Sequence, residues 1–448
     1  MFGIFIRYMT KHITLIIIFL LICQTQIHGQ VWAEVGGPDG LYSGVGINGI
    51  STDAAGNIYV AADDVLEYDG TSWRNLGLVS NGYVRTLFID PWGTIFACGD
   101  FLAVYGYYVS QYDGMSWSEV GLTGNLAANG PPNSICEDTV GNVYTAGSFR
   151  NRLGYFYVAQ CNGAIWTELG GINALHANLP IHSICSDKKG NIYAAGEFTN
   201  GSGNYYVAKY DGTVWSELGG VNALGANGYI SALYCDASGD ICAAGAFADS
   251  LGFAYVAKYD GARWIELGGA NSLRANMAIY SICGDAAGNI YVGGAFLNPS
   301  GFNYVAKYNG LTWSEVGGPS RLAADGPINA VCLDPSNNLY ASGNFHNISG
   351  NDRVSRYGFP EGINTMQEPN LLSLAPNPTL GKFKIYSPSK TSTADIRVYN
   401  SMGANVIIRK GLSGSVFAVD VSSQPSGVYF VEVIQEGEVW TGKLIKSN

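Results

Sequence analysis

Short apolar stretches alternate with turns rich in Gly, Asp and Asn along most of the 448-residue chain, and the pattern predicts strands rather than helices. The clearest unit holds four stretches: His182–Asp187 (HSICSD), Asn191–Gly196 (NIYAAG), Tyr206–Asp211 (YVAKYD) and Val214–Gly219 (VWSELG). Asp-Gly and Asn-Gly pairs favour positive φ and close hairpins, so each unit reads as four antiparallel strands, A to D. Tryptophans fall at Trp32, Trp73, Trp117, Trp166, Trp215, Trp264 and Trp313, and the last four steps are 49 residues each. Asp53, Asp90, Asp138, Asp187, Asp236, Asp285 and Asp334 keep the same period, each three residues before a Gly, or before Asn337 in the last.

A four-stranded unit repeated at this period predicts a propeller blade, and seven markers of each kind predict seven blades. The first Trp stretch precedes the first A–B hairpin, and the last unit ends at Val354–Gly358 with no Trp stretch after it. The strand around Trp32 is therefore expected to complete the last blade and remove the open edge. Blade 1 is trimmed: Gly56 to Trp73 is 17 residues, against 25 from Gly190 to Trp215.

Composition and charge sharpen this picture. The 60 Gly and 29 Tyr suit tight turns and strands. Residues 30–370 hold 14 Lys/Arg against 30 Asp/Glu, a net of −16, which argues against a nucleic-acid partner. Residues 1–29 carry Arg7 and Lys11, then an apolar run from Ile13 to Cys23 that is too short to span a bilayer. They read as a signal peptide cut after Gly29, with a lipoprotein signal at Cys23 as the alternative. No other stretch reads as a membrane helix.

The blade pattern resembles the kelch-like propellers, on Ile290-Tyr291-Val292-Gly293-Gly294 followed by Tyr308 and Trp313. It also resembles secreted bacterial repeat proteins built from VAKYDG units. Residues 359–370 read as a linker. Residues 371–448 leave the repeat and alternate apolar and polar positions between Gly, Pro and Ser turns, which predicts a small Ig-like β-sandwich. Pro376-Asn377-Pro378, Gly403, Gly427-Val428-Tyr429, Lys443 and Lys446 resemble the type A C-terminal sorting domain of the type IX secretion system of Bacteroidetes-type bacteria. That resemblance implies export to the surface or medium, the type IX machinery as partner, and removal of the domain. An ordinary Ig-like binding module is the competing reading of this segment.

Candidate chemistry is sparse. Cys136, Cys185, Cys283 and Cys332 share one repeat position on different blades, so they are expected to be free, buried thiols rather than disulfide partners. The turn aspartates recur in every blade and are expected to bond the backbone of their own turns. No zinc, calcium, copper or phosphate-loop pattern is evident, no cofactor is implied, and no catalytic cluster around the central opening is expected. The long B–C and D–A loops share one rim and diverge between blades. Arg150, Arg152, Tyr155, His176, Tyr205, Arg274 and Arg321 are the candidate ligand residues there, beside the aromatics Tyr107, Phe253 and Phe302. The favoured reading is a secreted or surface binding protein for a glycan or protein. A polysaccharide lyase or hydrolase and a purely structural surface protein are the alternatives.

Overall fold

The computed structural model describes residues 30–37, 41, 46–78, 82–269, 272–318, 321–346, 350, 352–358, 370–386, 393–400, 405–414, 416–435 and 438–447. The signal peptide, all but the last residue of the 359–370 linker and the Gly403 turn lie outside them. The chain divides into two compact units, 1–359 and 360–448.

The first unit is a seven-bladed β-propeller. Six blades are consecutive four-stranded antiparallel sheets. Blade 1 runs from Gly49–Thr52 to Trp73–Asn75, blade 2 from Val84–Ile89 to Trp117–Glu119, and blade 3 from Pro132–Glu137 to Trp166–Glu168. Blades 4, 5 and 6 begin at Ile181–Ser186, Ile230–Cys235 and Ile279–Gly284 and end at Trp215–Glu217, Trp264–Glu266 and Trp313–Glu315. Blade 7 takes three strands from Ile328–Leu333, Leu339–His346 and Asp352–Gly358. Its fourth strand is Val31–Glu34, paired antiparallel so that Trp32 faces Tyr357. Strand A of each blade packs on strand A of the next, and that of blade 7 packs on that of blade 1, so the A strands line the axis.

The ring is held by contacts that repeat with the sequence. The indole N–H of each repeat Trp donates to a backbone carbonyl of the preceding blade: Trp73 to Val35, Trp117 to Leu76, Trp166 to Val120, Trp215 to Leu169, Trp264 to Leu218, Trp313 to Leu267 and Trp32 to Val316. Phe101, Phe149, Phe198, Phe247, Phe296 and Phe345 are fully buried beside the B strands. Serines of strand A staple neighbouring blades: Ser134 Oγ accepts from Ile184 N, Ser183 Oγ from Leu233 N and Ser281 Oγ from Val331 N.

The turn aspartates do more than bond their own backbone. Asp187 Oδ1 accepts from the Lys189 and Asn191 N–H groups, while Oδ2 accepts from the Asn191 amide and the Tyr193 hydroxyl. The same Asp, Asn and Tyr arrangement holds Asp53, Asp138, Asp285 and Asp334. Blade 5 is different: Asp240 and Cys242 replace the Asn and Tyr, and Lys258 Nζ bridges Asp236 at 2.7 Å and Asp240 at 3.0 Å. The eight described cysteines are free; four are buried and four half-buried.

The second unit packs a five-stranded sheet against a three-stranded one. The first contains Thr393–Asn400, Asn405–Ser413, Gly427–Gln435 and Glu438–Lys446, and the second Ser373–Ala375, Lys382–Tyr386 and Val416–Asp420. Their shared core is Phe383, Ile385, Ile396, Val398, Phe417, Val419, Tyr429, Val431, Val433 and Leu444. Helical conformation among the described residues is confined to 3-10 turns, such as that at Gly171–Asn173. Among those residues no helix is long and apolar enough to cross a membrane.

Candidate functional site

The axial cavity is built by a β-bulge repeated in strand A. In blades 2 to 7 the pairing of strands A and B slips at the second residue of strand A. The strand-B residue opposite is Gly99, Gly147, Gly196, Gly245, Gly294 or Gly343. A Cβ at Gly196 would strike the Pro180 carbonyl oxygen, and the other five make the same close approach to the residue before their own strand A. Glycine therefore lets strand A bulge, and a bulge re-aims the extra side chain. With the corresponding residue of blade 1, these side chains form a ring: Asn48, Arg85, Asn133, His182, Ser231, Tyr280 and Asn329, each five residues before its turn aspartate.

Three members of this ring are staples. Asn48 Nδ2 donates to Val84 O at 3.0 Å, Asn133 Nδ2 to Ile181 O at 2.9 Å and Asn329 Nδ2 to Ile47 O at 2.9 Å, each reaching strand A of the next blade. The other four blades carry Arg85, His182, Ser231 and Tyr280, and these side chains line one cavity of about 690 Å³ with Asn48, Tyr83, Asp100, Asn133, Ser148 and Glu197. Arg85 makes a two-pronged pair with Asp100, both bonds 2.9 Å, and its third edge donates to Asn133 Oδ1 at 2.9 Å. His182 Nε2 lies 3.1 Å from Glu197 Oε1. Tyr229 packs 5.8 Å from the His182 ring, and its hydroxyl pKa is pushed up by burial, then by Tyr280 and Glu197.

The sequence shows no blade-specific set of acids, His or Tyr around the opening; the bulges bring Arg85, His182 and Tyr280 together there with Asp100 and Glu197. Each bulge residue looks like a surface residue in sequence because strands A alternate around it. The fixed offset from the turn Asp, combined with the strand-B Gly of blades 2 to 7, is the signal that points to the ring.

The candidate residues named from sequence lie farther out on the same rim. Arg150, Arg152 and His176 line one pocket of about 780 Å³ on blade 3, with Asn129, Glu168 and Ile172. Tyr155 stacks on His176, ring centroids 4.9 Å apart. Tyr205, Arg274 and Arg321 are not brought there. Tyr205 bridges to Ala226 within blade 4's loops, Arg274 belongs to the loop after blade 5, and Arg321 lies 5.9 Å over the Phe302 ring of blade 6. The recurring loop aromatics occupy two registers. Tyr155, Phe253 and Phe302 precede the residue that bridges B–C to D–A loops, whereas Tyr107 and Tyr205 are that bridging residue.

In the second unit, Asn377 clamps its loop to the last strand: Nδ2 donates to Lys443 O and Oδ1 accepts from Ile445 N. Pro376 and Pro378 flank it, each after a cis peptide bond. Tyr429 is buried and its hydroxyl donates to Pro425 O, two residues before Gly427 opens its strand. Lys443 is exposed opposite Phe430, and Lys446 bridges to Thr379.

Residues 373–447 match the secretion system C-terminal sorting domain family. No curated protein matches the chain in sequence. Similar solved structures include two extracellular domains from B. thetaiotaomicron, one from a hybrid two-component system and one from a one-component system. They share 12% and 13% identity, with TM-scores of 0.52 and 0.50. These matches cover 93% and 94% of this chain, which spans 59% of the length of either domain; at this identity they show the fold alone. A polysaccharide lyase, ulvan lyase, matches at 12% identity and TM-score 0.41 over 73% of this chain and 96% of the lyase. The sorting domain assigns the chain to type IX export, to the cell surface or the extracellular space.

Proposed function

We propose that this exported propeller is a carbohydrate-binding protein that holds a neutral sugar in the axial cavity, at the mouth formed by the long loops. The observation that carries this reading is the departure of four blades from the asparagine staple, which places Arg85, His182, Ser231 and Tyr280 around one opening. A scaffold needs only the staple. Sugar hydroxyls are bound by planar groups that offer or accept two hydrogen bonds in fixed directions, beside aromatic surface. Arg85, Asp100 and Asn133 are such groups, oriented by bonds to one another, Glu197 is oriented by His182, and Tyr83 is 48% exposed at the edge.

Charge selects the ligand class. Arg85 is matched by Asp100, and His182 faces Glu197, so the cavity holds no surplus positive charge to attract a uronate. The His182–Glu197 pair also has the composition of a general acid–base couple, which supports hydrolysis of the bound sugar as a second reading.

The test is a panel of neutral oligosaccharides and polysaccharides against the mature chain and the variant Arg85→Asn/His182→Asn. Asparagine is the residue that Asn48, Asn133 and Asn329 already use at this position, so the ring should keep its fold. Binding by the parent and at least about tenfold loss in the variant is expected, the value of roughly one charge-assisted hydrogen bond. Equal binding by both proteins would overturn the axial site. Chromatography of the bound sugar after incubation separates binding from hydrolysis.

A further inference from the structure

We infer that the blade 3 rim pocket is a second, independent site, one that takes the anionic group of an acidic saccharide. It goes beyond the axial reading and does not depend on it.

Four residues of blade 3 differ from their blade 4 counterparts and lie together there. Where blade 4 has Thr199, Gly201, Asn204 and Gly225, blade 3 has Arg150, Arg152, Tyr155 and His176. All four are exposed, and Arg150, Arg152 and His176 line the same 780 Å³ pocket. His176 sits at φ 53, a position that Gly225 occupies at φ 58 in blade 4. The same left-handed position carries Ala127, Arg274 and Ala323 in other blades; in blade 3 it carries an imidazole stacked on Tyr155.

The two guanidiniums are uncommitted. In a segment with 14 Lys/Arg against 30 Asp/Glu, most partners would be acidic, and Arg85, Arg74 and Lys258 do pair with carboxylates. Among the described residues, Arg150 and Arg152 make no ion pair. The one carboxylate lining the pocket, Glu168, is taken by the Asn151 amide at 2.9 Å. The Arg150 guanidinium carbon lies 4.4 Å from the Phe156 ring centroid, and a guanidinium held by a ring in this way keeps N–H donors for a planar acceptor. Those donors match a carboxylate or a sulfate ester.

The rest of the lining fits a sugar carrying such a group. Leu153 is 74% exposed and Ile172 97% exposed at the pocket wall, offering apolar surface to a pyranose face. The acidic body repels polyanions at long range, but screening limits that repulsion to roughly 8 Å at physiological salt. Acidic saccharides short enough to fit are therefore admitted locally. A nucleic acid, with charge along its whole length, is not.

The repeat supplies its own control. Arg150→Thr/Arg152→Gly/His176→Gly rewrites the blade 3 rim as that of blade 4, which this ring already folds. The converse graft, Thr199→Arg/Gly201→Arg/Asn204→Tyr/Gly225→His, copies the pocket onto blade 4; a Cβ at Gly201 meets open space, and one at Gly225 comes no nearer than 3.5 Å to another atom.

Calorimetry should use an oligogalacturonate, a sulfated galacto-oligosaccharide and the neutral galacto-oligosaccharide, all of one length. The mature parent should bind an acidic probe at least about tenfold tighter than the neutral one, more weakly as salt rises. The blade 3 variant should lose about tenfold or more, and the graft should raise the stoichiometry toward two. Carboxylate and sulfate arms decide which anion is taken. Absence of acidic-probe binding, or unchanged binding in the blade 3 variant, overturns the inference. Loss in Arg85→Asn/His182→Asn with retention in the blade 3 variant would move the acidic ligand to the axial cavity instead.

Discussion

The indole Nε1–H of Trp32 donates to the carbonyl oxygen of Val316 at 3.1 Å, across 284 residues of sequence. It is the same bond that joins every other pair of neighbouring blades, and it joins the first strand of the ring to its sixth blade. Trp32→Phe removes the hydrogen bond and keeps most of the packing, so it should cost about 1 kcal/mol. Trp32→Ala also removes the contact with Tyr357 and should cost about 3 kcal/mol, low in the range for buried Trp because this ring is only half-buried. Chemical denaturation of the two variants checks the order and the gap.

Blade 5 should depend on Lys258 in a way that blade 4 does not depend on Lys209. Lys258 bridges two carboxylates, whereas Lys209 only lies 6.0 Å over the Tyr193 ring. Lys258→Met should cost about 2–3 kcal/mol, somewhat below a fully buried pair, and Lys209→Met under about 1. Restoring the repeat with Asp240→Asn/Cys242→Tyr should recover most of the loss. A double-mutant cycle by thermal melting measures this coupling.

Glu137 should make the ring less stable at high pH. Burial, then repulsion from Asp90 and Asp138, raises its pKa to about 7. A carboxyl raised in the fold contributes stability below its ordinary pKa and loses it as pH rises through the folded value. Glu137→Gln should therefore melt like the parent near pH 4 and above it at pH 8, by roughly the linkage difference. Asp138, Asp187, Asp236 and Asp285 act oppositely. Burial opposes ionisation of Asp187, but bonds from Asn191 and Tyr193 outweigh it and hold its pKa below the usual 3.8. Their stabilisation is lost only as pH falls through that depressed value.

Asn377→Ala should loosen the sorting domain by about 1–2 kcal/mol, because one side chain satisfies both Lys443 O and Ile445 N. Export assays in a type IX-competent host should show less extracellular protein, with the ring itself melting unchanged.

The ring was legible because its fastening residues repeat. A Trp that recurs every 41 to 49 residues and an Asp three before the turn Gly or Asn mark elements whose jobs are the same in every blade, so identity and spacing coincide. The axial site was not legible for the opposite reason. Arg85, His182, Ser231 and Tyr280 share a backbone position but no chemistry, and that position reads as unremarkable until the bulge turns it inward. Arg150, Arg152 and His176 were found because each breaks the repeat inside a loop. Tyr205, Arg274 and Arg321 break it too, and lie apart, because divergence marks a loop without stating which neighbours it meets.

The most direct measurement of the central claim is the structure of the mature chain with a neutral oligosaccharide that it binds. The sugar should lie in the axial cavity, with hydroxyls within hydrogen-bond reach of Arg85, Asn133 or Glu197 and a ring face against Tyr83 or Tyr280. A sugar seated on the tight-turn rim, beside Lys188 and Lys189, with the axial cavity holding only solvent, would contradict it.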